Sequence, residues 1–305
     1  MLLAVAIMAN VHVVTTSPLA RDMLALTKPR ITLMTIIVAL GSMFLAPAPV
    51  SWLQAICALT GIALLVSGSS AFNMYIERDL DGLMTRTKNR PLPSGRMKPI
   101  WALSVGWILS LLAIPALWLG TNPLTVFLGI FSLAAYVLVY TPMKQMSSFA
   151  LVVGAVPGAM PALMGYTAAF GEVDRIALAL FGVAFLWQLP HFIAISMFRC
   201  DEYTRAGYPV VPKIVGERAS ILLICASSAL LVLTSSLLWW FGVGQLIYVS
   251  SATLLGVWFL YESVRGFFVK DVIAFSKRVF FASLVYQMLL FMFLAVDVIV
   301  YKSIS

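Results

Sequence analysis

Charge is what this chain has least of. Only 10% of its 305 residues are Asp, Glu, Lys or Arg, against 62% hydrophobic residues; a soluble domain is about half apolar and about a quarter charged. A water-soluble globular protein is excluded by that imbalance, and a polytopic membrane protein is indicated. Histidine occurs twice, at His12 and His191. Cysteine occurs three times, at Cys57, Cys200 and Cys225, far apart and without a CxxC pair. Neither a zinc site nor a disulfide framework is indicated, and Cys57 and Cys225 read as small apolar helix residues. The formal net charge of +8 does not point to nucleic acid, because the bases lie between apolar runs.

A membrane-spanning helix needs about 20 apolar residues. Nine runs meet that measure, near 31–47, 52–76, 100–119, 122–140, 148–170, 175–198, 218–240, 245–262 and 279–300. Pro47-Ala-Pro49 and Gly120-Thr-Asn-Pro123 are short, uncharged breaks, which read as tight turns. With the N-terminus inside, the inner segments hold Arg21, Lys28 and Arg30, the six bases from Arg78 to Lys98, Lys144, Arg199, Arg205, Lys213 and Arg218, and Arg265, Lys270, Lys277 and Arg278. Only Arg175 and Lys302 fall outside. Loop bases collect on the cytoplasmic side, so the N-terminus is expected inside, the C-terminus outside and the chemistry at the cytoplasmic face of a bacterial inner membrane. Residues 1–23 read as a disordered or interfacial extension; residues 1–17 lack the basic start of a signal peptide. Residues 24–305 read as one all-α transmembrane domain around a central cavity. Gly61, Gly68, Gly154, Gly158 and Gly165 would let helices approach closely. Pro157, Pro161 and Pro190, inside spans, would kink or unwind them.

Against this apolar background, residues 73–98 hold three carboxylates and six bases. Asn73, Glu77 and Asp81 are four residues apart and stack on one helix face, roughly 6 Å between neighbours. Oxygen donors so placed suit Mg2+, which takes one or two carboxylates and completes its shell with water and substrate phosphate. Arg86 and Arg90 follow, and guanidinium forks match phosphate oxygens. Positive-inside loop chemistry accounts for the bases, but not for acids at helical spacing. The pattern points to a metal-bridged diphosphate at a membrane surface. A second acid-rich stretch, Arg199-Cys-Asp201-Glu202-Tyr-Thr-Arg205, ends the sixth span on the same side. There Asp201 or Glu202 could hold a second metal ion, since adjacent helix residues diverge by about 100°. Arg205 and Lys144, the only base of its loop, could reach phosphate. His191 lies at membrane depth, where a polar side chain is a functional candidate.

Taken together, Leu26-Thr-Lys-Pro-Arg30, Asn73-x3-Glu77-Arg78-x2-Asp81 with Arg86-Thr-x2-Arg90-Pro-Leu-Pro, Tyr140-Thr-Pro-x-Lys144, Gln188-x-Pro-His191-Phe and Asp201-Glu202-Tyr-x-Arg205-Ala-Gly207 carry a resemblance over nearly all of residues 24–300. The chain resembles the UbiA-type intramembrane prenyltransferases, and among them the branch that farnesylates haem. The resemblance implies nine helices around a cavity open to the cytoplasm and to lipid. It also implies Mg2+-dependent transfer of a farnesyl group from farnesyl diphosphate to a vinyl group of haem b, with addition of water, for terminal oxidases. The next haem-modifying enzyme or an oxidase would be a partner. Asn73, Glu77 and Asp81 would then be catalytic metal ligands, joined by Asp201 or Glu202. Arg86, Arg90, Lys144 and Arg205 would hold the diphosphate, and His191 would act on the haem. Met74 and Glu77 stand where quinone-type relatives carry acids, and their second Asp-x3-Asp motif is absent. Prenylation of an aromatic quinone precursor, or a carrier for haem or an anionic lipid, are the competing readings. Charge-poor outer loops speak against the carrier.

Overall fold

The computed structural model describes residues 18–47 and 49–304, so the 1–17 stretch lies outside the described residues. All regular structure among them is helical. In chain order the helices are α1 (Pro18–Leu26), α2 (Pro29–Phe44), α3 (Trp52–Ile76), the single turn α4 (Arg78–Asp81), α5 (Pro99–Gly120) and α6 (Pro123–Ala134). A π-helical segment, Ala135–Tyr140, leads into α7 (Thr141–Met143). Then come α8 (Ala150–Phe170), α9 (Arg175–Phe198), the short α10 (Cys200–Arg205) and α11 (Val211–Val215), α12 (Glu217–Trp240), α13 (Leu246–Val264) and α14 (Val272–Ile304). Among the described residues, eight helical stretches are long and apolar enough to cross a membrane, and a ninth if α1 and α2, bent by 44° at Thr27-Lys28, count as one span.

Local sequence starts these helices where expected. Ser51 accepts a hydrogen bond from the Gln54 amide at 3.2 Å and opens α3. Asn122, followed by Pro123, accepts from Thr125 and opens α6. Asp174 accepts from the Ile176 and Ala177 amides, both at 2.9 Å, and opens α9. Each cap meets amides left without an intrahelical partner. The last span begins earlier than its hydropathy suggests, at Val272 rather than near 279. Lys277 and Arg278 ride on its first turns, since long basic side chains can lie along apolar surface with their heads in water.

Helix α8 is the most enclosed span and packs against α2, α3, α6 and α9. Small residues make that possible: a side chain at Gly165 would overlap the Ala39 carbonyl of α2, and one at Gly154 the Tyr140 ring. Helix α14 contacts α2, α9 and α13, so the last span closes on the first. The internal prolines unwind nothing. Pro157 and Pro161 stay within an unbroken α8 and Pro190 within α9. A proline frees the carbonyl four residues earlier; the one freed by Pro161, Pro157 O, accepts from Ser132 Oγ of α6 at 3.4 Å, so a neighbouring helix replaces the lost partner. Outward-facing Leu119, Leu233, Leu254 and Phe281 are exposed apolar side chains of the spans, as a lipid-facing surface requires.

Candidate active site

At one end of the bundle the scarce charges converge. Asn73 closes the last full turn of α3, Glu77 leaves helical geometry at φ −89°, ψ 3°, and α4 follows at once. The hydrogen-bond ladder survives the kink: Glu77 N donates to Asn73 O at 2.9 Å and Asp81 N to Glu77 O at 2.8 Å. Asn73, Glu77 and Asp81 therefore share one helix face, and all three are buried.

Each of the three meets a base supplied from elsewhere in the chain. Lys28 Nζ donates to Asn73 Oδ1 at 2.8 Å. Lys144 Nζ pairs with Glu77 Oε1 at 2.8 Å, and Arg90 Nη1 with Asp81 Oδ2 at 2.6 Å. Burial alone would push the Glu77 carboxyl up; the Lys144 ammonium beside it, helped by Lys28, outweighs burial and holds it below the usual carboxylate range. Burial, the largest single influence, pulls Lys144 down, but Glu77 together with the neighbouring tyrosines outweighs it and keeps it charged, well above the usual lysine range. Lys144 also sits over the rings of Tyr140 and Tyr208, 5.9 and 5.3 Å from their centroids. The π-helical turn just before it lets Thr141 Oγ1 donate to Tyr136 O at 2.8 Å, and Asn73 Nδ2 approaches Thr141 Oγ1 at 3.5 Å. Such turns recur at functional sites.

The segment after α4 is pinned over this cluster. Thr87 Oγ1 donates to Asp81 O, and the Arg96 guanidinium grips Asp22 of α1 through Nε and Nη2. Arg86 N donates to Glu202 Oε1 of α10 at 2.8 Å, while Glu202 Oε2 takes Arg199 at 3.1 Å. The two acid-rich segments thus meet, but through Glu202 as a staple between them. Asp201 and Arg205 are exposed and stand apart from the buried cluster, and Arg86 lends it a backbone amide more than a fork.

His191 forms a separate group on α9. Its ring stacks on Trp187 (4.8 Å between centroids) and tilts against Phe280 of α14 (4.7 Å). Its Nδ1 lies 2.7 Å from Ser283 Oγ. Ser283 Oγ lies equally close to Phe280 O, at 2.7 Å, so its one proton serves either that carbonyl or His191 Nδ1, and the imidazole tautomer follows from which of the two it serves. Phe72 packs edge-on against Trp107 of α5.

Sequence reasoning did not single out Lys28 or Ser283. Lys28 carried a signal: it precedes a proline, and it is the only non-glycine among the described residues with positive φ, 46°, a strained conformation that clusters at functional sites. Ser283, one serine in an apolar run, carried none.

The oxygen donors suit a hard divalent cation, since Glu77 and Asp81 are buried carboxylates on one face beside the Asn73 amide. No group of three or more His, Cys, Asp or Glu residues placed to hold a metal occurs among the described residues.

Comparison with known proteins bears on the family and the fold. Residues 33–295 match the UbiA prenyltransferase family. The chain is 42% identical over 278 residues to a protoheme IX farnesyltransferase of Myxococcus xanthus (strain DK1622), covering 91% of this chain and 95% of that one. It is 47% identical over 238 residues to another of Sorangium cellulosum (strain So ce56), covering 78% and 85%. Among solved structures, a digeranylgeranylglyceryl phosphate synthase shares the fold with a TM-score of 0.77 at 16% identity, over 92% of this chain and 98% of that one. A UbiA homolog from Archaeoglobus fulgidus bound to DMAPP and Mg2+ does so with a TM-score of 0.62 at 16% identity, over 90% and 99%.

Proposed function

The chain belongs to the UbiA prenyltransferase family, and from that premise we propose that it transfers the farnesyl group of farnesyl diphosphate to a vinyl group of haem b, with addition of water. The haem acceptor rests on the similarity to protoheme IX farnesyltransferases. The observation that carries the diphosphate half is the row Asn73, Glu77 and Asp81, each held by a base of its own.

Lys144 and Arg90 balance Glu77 and Asp81, which leaves Lys28, whose ammonium burial pulls down to about 7, as the surplus base of the cluster. That surplus is smaller than the charge of a diphosphate, so a divalent cation makes up the difference. Glu77, Asp81 and the Asn73 carbonyl oxygen would hold Mg2+, and Asp201 or Glu202 a second ion. Bound there, Mg2+ neutralises charge that develops on the departing pyrophosphate. Lys144 and Arg90 then exchange a carboxylate, and Lys28 the Asn73 amide oxygen, for a phosphate oxygen, and Arg86 and Arg205 extend the basic rim. These donors are built before substrate arrives, so they stabilise the leaving group without reorganising a solvent shell.

The reaction balances as follows. The bond from farnesyl C1 to oxygen breaks, and pyrophosphate leaves with the electron pair. The vinyl π pair of the haem bonds to C1. Water captures the carbon left electron-poor beside the porphyrin and loses a proton. The allylic cation needs aromatic faces and little water; Tyr136, Tyr140 and Trp187 are suitable rings. In its neutral form His191 offers one ring nitrogen that accepts a proton or ligates iron.

The excess of bases in the loops on one side supports a cytoplasmic site, with the N-terminus inside and the C-terminus outside. Residues 24–305 act as one domain in a bacterial inner membrane, and the product passes to a haem-modifying enzyme or a terminal oxidase.

Mass spectrometry of haem extracted from membranes expressing the chain tests the reading. A haem heavier by a farnesyl group and one water is expected from the wild type and not from Asp81→Ala. Unmodified haem from well-expressed wild type would overturn the haem acceptor, and full conversion by Asp81→Ala the site.

A further inference from the structure

Tyr208 has a place in the site that none of the recognised motifs gives it. The end of α10 is a complete C-terminal cap. Gly207 adopts φ +81°, its amide donates to Thr204 O at 3.0 Å, and the Tyr208 amide reaches back to Tyr203 O at 3.0 Å. That double bond pattern, with glycine in the left-handed conformation and an apolar contact across the cap, is the Schellman motif. Here the contact is edge-on packing of Tyr208 on Tyr203, 5.8 Å between centroids. The sequence Ala206-Gly-Tyr-Pro209 therefore turns the Tyr208 ring back from the helix end and buries it, 5% exposed, under the Lys144 ammonium.

Phenylalanine would satisfy every one of these packing roles. What tyrosine adds is a hydroxyl, and that hydroxyl is buried with no hydrogen-bond partner among the described residues. A buried polar group without a partner is destabilising. Its surroundings are the diphosphate cluster: Glu77, Lys144 and Asp81 all act electrostatically on the phenol, and burial, the largest influence, keeps it protonated. It is therefore a donor, while its neighbouring carboxylates are already held by Lys144 and Arg90.

We infer that Tyr208 is a further substrate-positioning residue, whose hydroxyl donates a hydrogen bond to the diphosphate that Lys144 engages. The inference rests on the diphosphate reading of the cluster. It assigns the orphan donor to the state of the site in which a substrate oxygen joins Lys144. A single charge-assisted hydrogen bond is worth roughly tenfold or more in affinity.

The test uses the full chain in detergent, with Tyr208→Phe, Arg90→Ala and wild type side by side. Magnesium pyrophosphate is titrated by calorimetry, and thermal unfolding is followed with and without it. Tyr208→Phe should weaken pyrophosphate binding about tenfold and raise KM for farnesyl diphosphate by a similar factor, leaving KM for haem unchanged. Its unfolding temperature without ligand should equal or exceed that of wild type, because the lost hydroxyl had no partner. A structural hydroxyl would do the reverse, lowering ligand-free stability and leaving binding intact, and that result overturns the inference. If Arg90→Ala loses binding and Tyr208→Phe keeps it, the Tyr208 inference alone fails. If wild type binds no pyrophosphate, or Arg90→Ala binds it as well as wild type, the diphosphate reading fails and takes this inference with it.

Discussion

Replacing Lys144 by methionine removes the ammonium but keeps most of the side-chain volume. Glu77 then holds a charge with 3% of its side chain exposed and its nearest counter-charge gone. Removing one partner of a buried pair costs about 3–5 kcal/mol, because the other charge stays behind unpaired. Lys144 is itself 27% exposed, which places the expected loss near the lower figure, about 3 kcal/mol. Glu77→Gln combined with Lys144→Met removes both charges and should recover most of that loss, while transfer stays absent in single and double variants alike. The pH dependence separates this account from a packing defect. In wild type the Glu77 carboxyl is held below its ordinary range, so its contribution is present at neutral pH and is lost as pH falls through the folded-state value. In Lys144→Met the opposing influence is gone and burial raises the carboxyl. Protonation then relieves the buried charge, and stability should rise as pH falls from about 7 to about 5. Tryptophan fluorescence during thermal unfolding in detergent reads both quantities. A single variant as stable as wild type at neutral pH, a double variant no better than the single, or a double variant that still transfers would each refute the argument.

His191→Ala should lower haem conversion by roughly a hundredfold or more, the scale of a lost proton-transfer group. Magnesium pyrophosphate binding should be unchanged, because the contacts of the ring, Ser283, Trp187, Phe192 and Phe280, include no residue of the diphosphate cluster; calorimetry and haem analysis together check this. Glu202→Ala should release the 82–98 segment from α10, since the carboxylate is what holds the Arg86 amide and Arg199; faster tryptic cleavage at Arg86 and Lys88 is the expected sign. Gly165→Ala should destabilise the bundle by about 3 kcal/mol, the upper range for overpacking, because the new methyl meets the Ala39 backbone carbonyl rather than a movable side chain; loss of monodisperse protein on gel filtration or a lowered unfolding temperature would be seen.

What the sequence determined by itself is what depends on short separations. Long apolar runs declare spans, because a backbone in hydrocarbon must satisfy its own hydrogen bonds and a helix does so within one segment. The repeat of four from Asn73 to Asp81 placed three oxygen donors on one face, and the ladder through Glu77 keeps them there. The caps at Ser51, Asn122 and Asp174 are equally local. Proline was misleading, since its effect depends on whether a neighbour such as Ser132 takes up the freed carbonyl. The partners of the site residues were beyond reach for the same reason. Lys28 meets Asn73 across 45 positions, Lys144 meets Glu77 across 67, Ser283 meets His191 across 92 and Glu202 meets Arg86 across 116. No periodicity encodes such pairs. They follow from which helices pack together and how closely, so tertiary structure alone decided that Asn73, Glu77 and Asp81 each rest against a base, that Glu202 joins two segments, and that the Tyr208 hydroxyl has no partner among the described residues.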